Sequence, residues 1–415
     1  MSPLILCIYA MPLLQCSIQS DMYGTTKLLA AAFLVFLAAF RNGFAQLRVD
    51  RYFVAFGVCA ILSTLLSEYP AISALGEYRV YTSALLPGVL VGAMFYLAAG
   101  SKDKADSYDN LCKHAIYAAC ISSVWGILQK GGMYAMFPLP GGRIYSGMGS
   151  PVYLAAFLAF VFPLALERKA FKSAGLILVG IFLSGTRAGL IAAVVAGFFL
   201  YHGRMGWRVK AGLGAAFLAL FIGMSAMRSA LIQADTGRLI VYKVAIKAFL
   251  DNPLFGHGPD LFTDAFVRYR TQDWLKAGFT VNHVQGTAHN DVLQALATGG
   301  ILYTGAYLAL CWALLGLFRR SGHVGMVASA ISLFTFAKLN ETAFPVKALF
   351  FILAGAAVQR LNKKTSGFKY NMLPLGVVFT FYFGLFATDR LMLWYKALES
   401  SRLMNVCLTF MLIYG

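Results

Sequence analysis

His289, Asn290 and Asp291 form a polar triplet at the head of the apolar run VLQALATGGILYTGAYLALCWALLGLF. A histidine in the first turn of a helix sits among unpaired N–H groups and a partial positive charge, which disfavours the imidazolium. Such a ring stays neutral at pH 7, the state a general base requires. The same residue type also suits a capping or interfacial position. Asn290, Gln294 and Thr298 follow at four-residue steps and predict a polar stripe on one helix face. Stripes of that kind inside a membrane face a cavity or another helix.

Three arginines stand apart from the other basic residues. Arg187 lies in LSGTRAGL, a tight turn between two apolar runs; Arg238 opens GRLIVYKVAIKAFL; Arg143 lies in the Gly/Pro-rich PLPGGRIYSGMGS. A guanidinium is always charged and presents a planar fork of donors, which suits a diphosphate held without a metal. Lys243 and Lys247 sit one turn apart, as lipid or substrate phosphates would need. A metal would require clustered carboxylates or His/Cys ligands, and the outer loops hold no DxD or ExxH. Asp260 and Asp264 are the nearest pair and fit helix starts equally well. Neither a G-x-S-x-G nucleophile elbow nor a P-loop occurs. No metal and no cofactor is expected.

These residues need elements to hold them. The chain has 415 residues, 59% hydrophobic and 13% charged, where a soluble domain carries about 25% charged. Apolar runs long enough for a ~30 Å hydrocarbon layer recur, without the alternation of a β-barrel. The reading is an all-α, polytopic integral membrane protein with about 12 (12–14) transmembrane helices. Spans are drawn at 3–18, 27–46, 52–67, 82–99, 111–128, 151–166, 173–185, 188–201, 211–229, 290–317, 324–338 and 347–361, with weaker ones at 371–388 and 402–414. The first is read as a retained span, not a signal peptide. The formal charge of +18 lies mostly between spans, which argues against nucleic acid. The seven cysteines include no CxxC, so neither a disulfide framework nor a zinc site is supported.

With the N-terminus inside, every inner loop is basic, from Arg41–Arg48–Arg51 to Arg360–Lys363–Lys364. That places 230–289 outside as one large periplasmic loop within a single 1–415 bundle. Arg79, Arg143, Arg187, Arg238, Arg268 and Arg270 then run against the charge rule on the outer side. Headgroup anchoring is the ordinary explanation for such residues. Within the loop, GRLIVYKVAIKAFL predicts a helix capped at Asp235 or Thr236 and stopped at Asp251-Asn252-Pro253. PDLFTDAFVRYR predicts a second, with Gly256 and Gly258 as the hinge between them. Both are expected to fold back over the bundle.

NPLFGHGPDLF followed by AHNDVLQALATGGILYTGAYLAL resembles the O-antigen ligase and O-antigen polymerase superfamily. SGTRAGL resembles its short arginine loop, and GGRIYSGMGSPVYLAAFLAF its earlier outer-loop region. The resemblance covers about residues 140–320. It implies a GT-C-like membrane bundle in the bacterial inner membrane, with its active site facing the periplasm. It also implies metal-independent glycosyl transfer from a glycan on undecaprenyl diphosphate. Carried onto this sequence, His289 takes the acceptor proton and Arg187 and Arg238 bind the diphosphate. Arg143 is a weaker candidate for the same pocket, and Asn290 and Asp291 orient the histidine or a sugar. A ligase uses a lipid A core sugar as acceptor, a polymerase another lipid-linked repeat, and an oligosaccharyltransferase a protein hydroxyl. A lipid-linked glycan transporter is the alternative of a different class.

Overall fold

A computed structural model describes residues 1–15, 24–41, 45–46, 50–77, 83–133, 139–204, 231–361 and 364–365, with scattered positions between 206 and 222. Fifteen helices are labelled among them. They are α1 (Pro3–Leu13), α2 (Gly24–Arg41), α3 (Asp50–Leu65), α4 (Pro70–Leu75), α5 (Leu85–Gly100), α6 (Tyr108–Lys130), α7 (Pro151–Glu167), α8 (Phe171–Leu183), α9 (Arg187–Tyr201), α10 (Leu231–Asp251), α11 (Phe262–Tyr269), α12 (Asp273–Lys276), α13 (Asp291–Ser321), α14 (Val324–Ala337) and α15 (Phe344–Ala357). Eleven of the twelve spans drawn from hydropathy overlap one of these helices, and the other, 211–229, lies largely outside the described residues. Arg79 and the stretches 371–388 and 402–414 lie outside the described residues. The described residues are almost entirely helical, as the all-α expectation has it. Ala45–Gln46 pairs antiparallel with Lys364–Thr365 in a two-residue ladder. Helices α6 and α13 are long and apolar enough to cross a membrane, and eight others are shorter apolar helices of 10–17 residues.

The bundle is built around α7. Its residues from Leu154 to Val161 are buried without a break, as expected of a helix apolar on every face. It packs against α6, α8, α9, α14 and α15. Small residues set the spacing: a side chain at Gly189 would meet the Ala155 Cβ at 2.8 Å, and one at Gly355 would meet the Phe95 carbonyl oxygen at 2.2 Å.

Polar contacts fix which helix ends lie together. At one end the Glu167 carboxylate accepts from the Gly325 N–H at 2.6 Å, Arg168 pairs with Asp109 at 3.0 Å, and the Tyr201 hydroxyl donates to the Leu166 carbonyl at 2.9 Å. Helices α6, α8 and α14 therefore run from this end to the other, and α7 and α9 run toward it. The connections at 139–150, 184–187 and 338–343 consequently gather at the opposite end.

The span expected at 290–317 is not one straight helix. Gly300 has φ 70° and ψ −174°, which breaks α13 into two arms. The broken ladder is completed by the segment after α10. His257 N–H donates to the Ala297 carbonyl at 3.2 Å, Gly258 N–H to Thr298 at 2.7 Å, and Ile301 N–H to Pro253 at 2.8 Å. A Cβ at Gly256 would lie 2.4 Å from the Thr298 carbonyl carbon. Gly256 and Gly258 are thus a docking point on α13 and not simply the hinge expected between loop helices. An interrupted helix is tolerated in apolar surroundings only where protein re-satisfies its backbone, and PLFGHG does so.

Candidate active site

The 139–150 connection is tied down from beneath. The Gln129 side chain accepts from the Ser146 N–H at 2.7 Å, and the Lys27 ammonium, 1% exposed, donates to the Gly147 carbonyl at 2.6 Å. This holds Arg143 against the next turn. Its Nε donates to the Ser184 carbonyl at 2.7 Å and its Nη2 to the Thr186 hydroxyl at 2.8 Å. Arg143 therefore braces the turn from which Arg187 starts α9. Its fork grips protein atoms, which a diphosphate ligand would have to share.

The 230–289 segment builds its own small core. Val241, Val244, Ala245 and Ala248 of α10 pack with Phe262 and Phe266 of α11 and with Trp274. Trp274 stacks on Phe279 with ring centroids 3.9 Å apart, and a side chain at Gly237 would meet the Phe279 ring at 2.8 Å. Helix α10 lies against α13. It starts at Leu231 and passes through Asp235 and Thr236, so neither caps it; it ends at Asp251, where the sequence stops it. Arg238 consequently lies within the helix, half-buried, and does not open it. Lys243 is on the exposed face, away from the side that carries Val241 and Val244.

His289 stands two residues before the first residue of α13, with φ 52°. Histidine is among the non-glycine residues that accept this left-handed backbone. The helix N-cap is Asn290, whose Oδ1 accepts from the N–H groups of Val292 and Leu293 at 3.0 and 3.1 Å. The Asn290 amide donates to the Lys338 carbonyl at 3.1 Å. Asp291 accepts from the Lys338 ammonium at 2.7 Å and from the Tyr307 hydroxyl at 2.5 Å. Gln294 reaches back to accept the Ala288 N–H at 2.7 Å, and the Thr298 hydroxyl donates to the Gln294 carbonyl at 2.8 Å. The polar stripe expected along this helix thus serves the turn and the helix itself.

The His289 ring contacts Gln285, Nε2 to Oε1, at 3.2 Å. Its pKa is lowered to about 4, first by burial and second by the Arg238 guanidinium. The expected neutral imidazole is present, for a different main reason. The ring sits outside the first turn, and desolvation with a neighbouring cation replaces the helix-start field as the cause. Arg238 in turn reaches the Asn340 side chain at 3.4 Å.

Two groups of site residues result. Arg238, His289, Asn290 and Asp291 share one network through Lys338 and Asn340. Arg143 and Arg187 share a turn at the same end of the bundle. Gln285, Tyr307, Lys338 and Asn340 are the additions that sequence reasoning missed. The polar string KLNET, isolated between two apolar runs, was the signal for two of them. Asp260 is buried, with φ 60°, and its carboxylate accepts from the Ser83 N–H and hydroxyl at 2.6 and 2.7 Å, which gives it a structural part. Among the described residues, no three His, Cys, Asp or Glu side chains gather as a metal ion would need.

Residues 173–308 match the family model described as O-antigen ligase. The match runs from α8 through the break in α13 and includes Arg187, Arg238, Lys243 and the 289–291 triplet, but not Arg143. A search of the curated proteins finds no match to the chain.

Proposed function

Because this chain belongs to the O-antigen ligase and polymerase superfamily, we propose that it moves a glycan from undecaprenyl diphosphate to an acceptor hydroxyl, a lipid A core sugar. In this reading it works without a metal, in a bundle of about twelve crossings in the bacterial inner membrane, with its site facing the periplasm. What supports this chemistry is the place of His289, in a left-handed turn directly before the N-cap of α13 with its Nε2 3.2 Å from the Gln285 Oε1, where burial and the Arg238 guanidinium lower its pKa.

With Gln285 Oε1 as acceptor, Nε2 carries the ring proton and Nδ1 offers the lone pair. Nδ1 takes the proton of the acceptor hydroxyl as its oxygen attacks the anomeric carbon. The bond from that carbon to the diphosphate oxygen breaks, and its electron pair stays on the diphosphate. Arg238 and Arg187 stabilise the growing negative charge. Asn290 and Asp291 hold the His289 turn through the helix cap and Lys338. Arg143 acts by bracing the Arg187 turn.

The test gives purified protein a lipid-linked repeat, with and without lipid A core. Product formed only with the core supports the ligase reading. A ladder formed without it would identify a polymerase, and movement across a vesicle without new bonds a transporter. Transfer that EDTA stops and Mg²⁺ restores would overturn the metal-free account.

A further inference from the structure

Helix α10 has two long faces, and the protein's own core uses one. Val241, Val244, Ala245 and Ala248 pack inside the 230–289 segment. On the other face Leu239, Ile246 and Leu250, with Leu254 just beyond the helix, are between 47% and 67% exposed. Lys243 and Lys247 lie exposed on the same stripe. Apolar side chains exposed singly need no explanation. Four of them at helical spacing, with two cations between, have the pattern of a helix lying in a membrane interface.

The place of the stripe says what covers it. The second arm of α13, from Ile301 to Ser321, is about 30 Å long at ~1.5 Å per residue, the depth of a hydrocarbon layer. Its last turn carries Arg319 and Arg320, which marks that end as the inner one. Gly300 then lies at the outer border. There the Ile301 N–H donates to the Pro253 carbonyl, next to Leu254. Ile301 and Leu302 are themselves exposed, so the stripe of α10 runs on from apolar surface of the spanning arm. Charge argues against a second copy as the cover. A two-fold contact sets the same patch on both sides and would bring Lys243 and Lys247 against their own kind. Among the described residues neither lysine pairs with a carboxylate. Asp251, at the end of the helix, accepts from the Tyr269 hydroxyl.

We infer that this face of α10 rests in the outer leaflet, its leucine and isoleucine side chains among the acyl chains and Lys243 and Lys247 on the phosphates of anionic phospholipid. The inference rests on the membrane placement proposed above. It assigns Lys243 to bilayer lipid and not to the glycan donor. The same helix carries Arg238, which reaches Asn340 and lowers the His289 pKa. The leaflet thus supports the element that sets Arg238 beside His289.

The experiment uses the full protein in nanodiscs of phosphatidylcholine with a minority of phosphatidylglycerol. Benzoylphenylalanine replaces Leu239, Ile246 or Leu250 in separate variants, and the products of irradiation are identified by mass. Phospholipid adducts should form, with phosphatidylglycerol enriched about fivefold over its share of the membrane, the factor for one lysine near an anionic surface. Lys243→Gln combined with Lys247→Gln should abolish that enrichment while phospholipid adducts persist. Both lysines are exposed, so their replacement leaves the packed face of α10 intact. Adducts with a second copy, no lipid adduct at any of the three positions, or enrichment that survives the loss of both lysines would overturn the inference. The expected adducts beside a wild type that transfers no glycan would sink the glycosyltransferase reading alone. Normal transfer without lipid adducts would sink the interface alone.

Discussion

The Tyr307 hydroxyl donates to the Asp291 carboxylate across 2.5 Å, although 16 positions separate them along α13. A straight helix would place them about 24 Å apart, at ~1.5 Å per residue. The break at Gly300 folds the first arm back, and this hydrogen bond closes the elbow. The same carboxylate holds Lys338, so the His289 turn is fastened to both α13 and the end of α14.

Tyr307→Phe should therefore loosen the elbow without removing a proposed reacting group. A hydrogen bond to a charged group is worth about 1.5–3 kcal/mol. The expected outcome is a lower melting temperature together with reduced transfer. An unchanged melting curve would show that the elbow does not depend on this bond.

His289→Asn is the cleanest test of the base. Asparagine tolerates the left-handed backbone that His289 adopts, so the turn should survive while the basic nitrogen is lost. Transfer should fall by about 10²–10⁴, the usual contribution of a general base, with normal membrane insertion. Near-normal product from the purified variant would remove His289 from the mechanism.

The pH dependence follows from the lowered pKa of His289. The unfolded ring titrates near 6.5 and the folded one at about 4. Between those values the unfolded chain binds more protons, so stability contributed by this group falls as pH drops from about 6.5 to about 4. It is constant above that window. In the donor-free protein the acid limb of kcat/KM should lie near the lower value. A diphosphate on Arg238 offsets part of the cation's effect, so the limb in kcat should lie at higher pH. Arg238→Gln should raise the donor-free pKa only part of the way to 6.5, because burial is the larger cause. Coincident limbs in kcat and kcat/KM would separate Arg238 from the donor.

Gly300→Ala should be severe. The residue has φ 70°, and a Cβ there would lie 2.4 Å from the Leu254 carbonyl oxygen. Strain of this kind costs about 1–3 kcal/mol, before the displaced PLFGHG segment is counted. Protease nicking near residue 254 and a lowered melting temperature are the expected readouts. Wild-type resistance would show that the docked segment is not held at Gly300.

Arg143→Lys keeps the charge and loses the fork. The turn at Ser184–Thr186 should lose its brace, so KM for the lipid-linked donor should rise more than kcat falls. An unaltered KM would leave Arg143 without a part in placing Arg187.

Local chemistry made most of the helices legible. Continuous apolar runs, Pro at Pro151 and Pro345, and the stop after Asp251 set element type and approximate ends, because those signals act within a few residues. The family match also lies on short strings that can be read without coordinates, among them NPLFGHGPDLF and the triplet at His289. Tertiary structure decided what those strings do. Gly300 looks like one more small residue in an apolar run until the Leu254–Gly258 segment approaches it. The neutrality of His289 comes mainly from burial beside Arg238, and neither is a property of neighbours in the chain. Lys338 and Asn340 join the site only because α14 runs back to the end where α13 begins. Asp291 and Tyr307 meet only because a helix that the sequence presents as continuous is folded at one glycine.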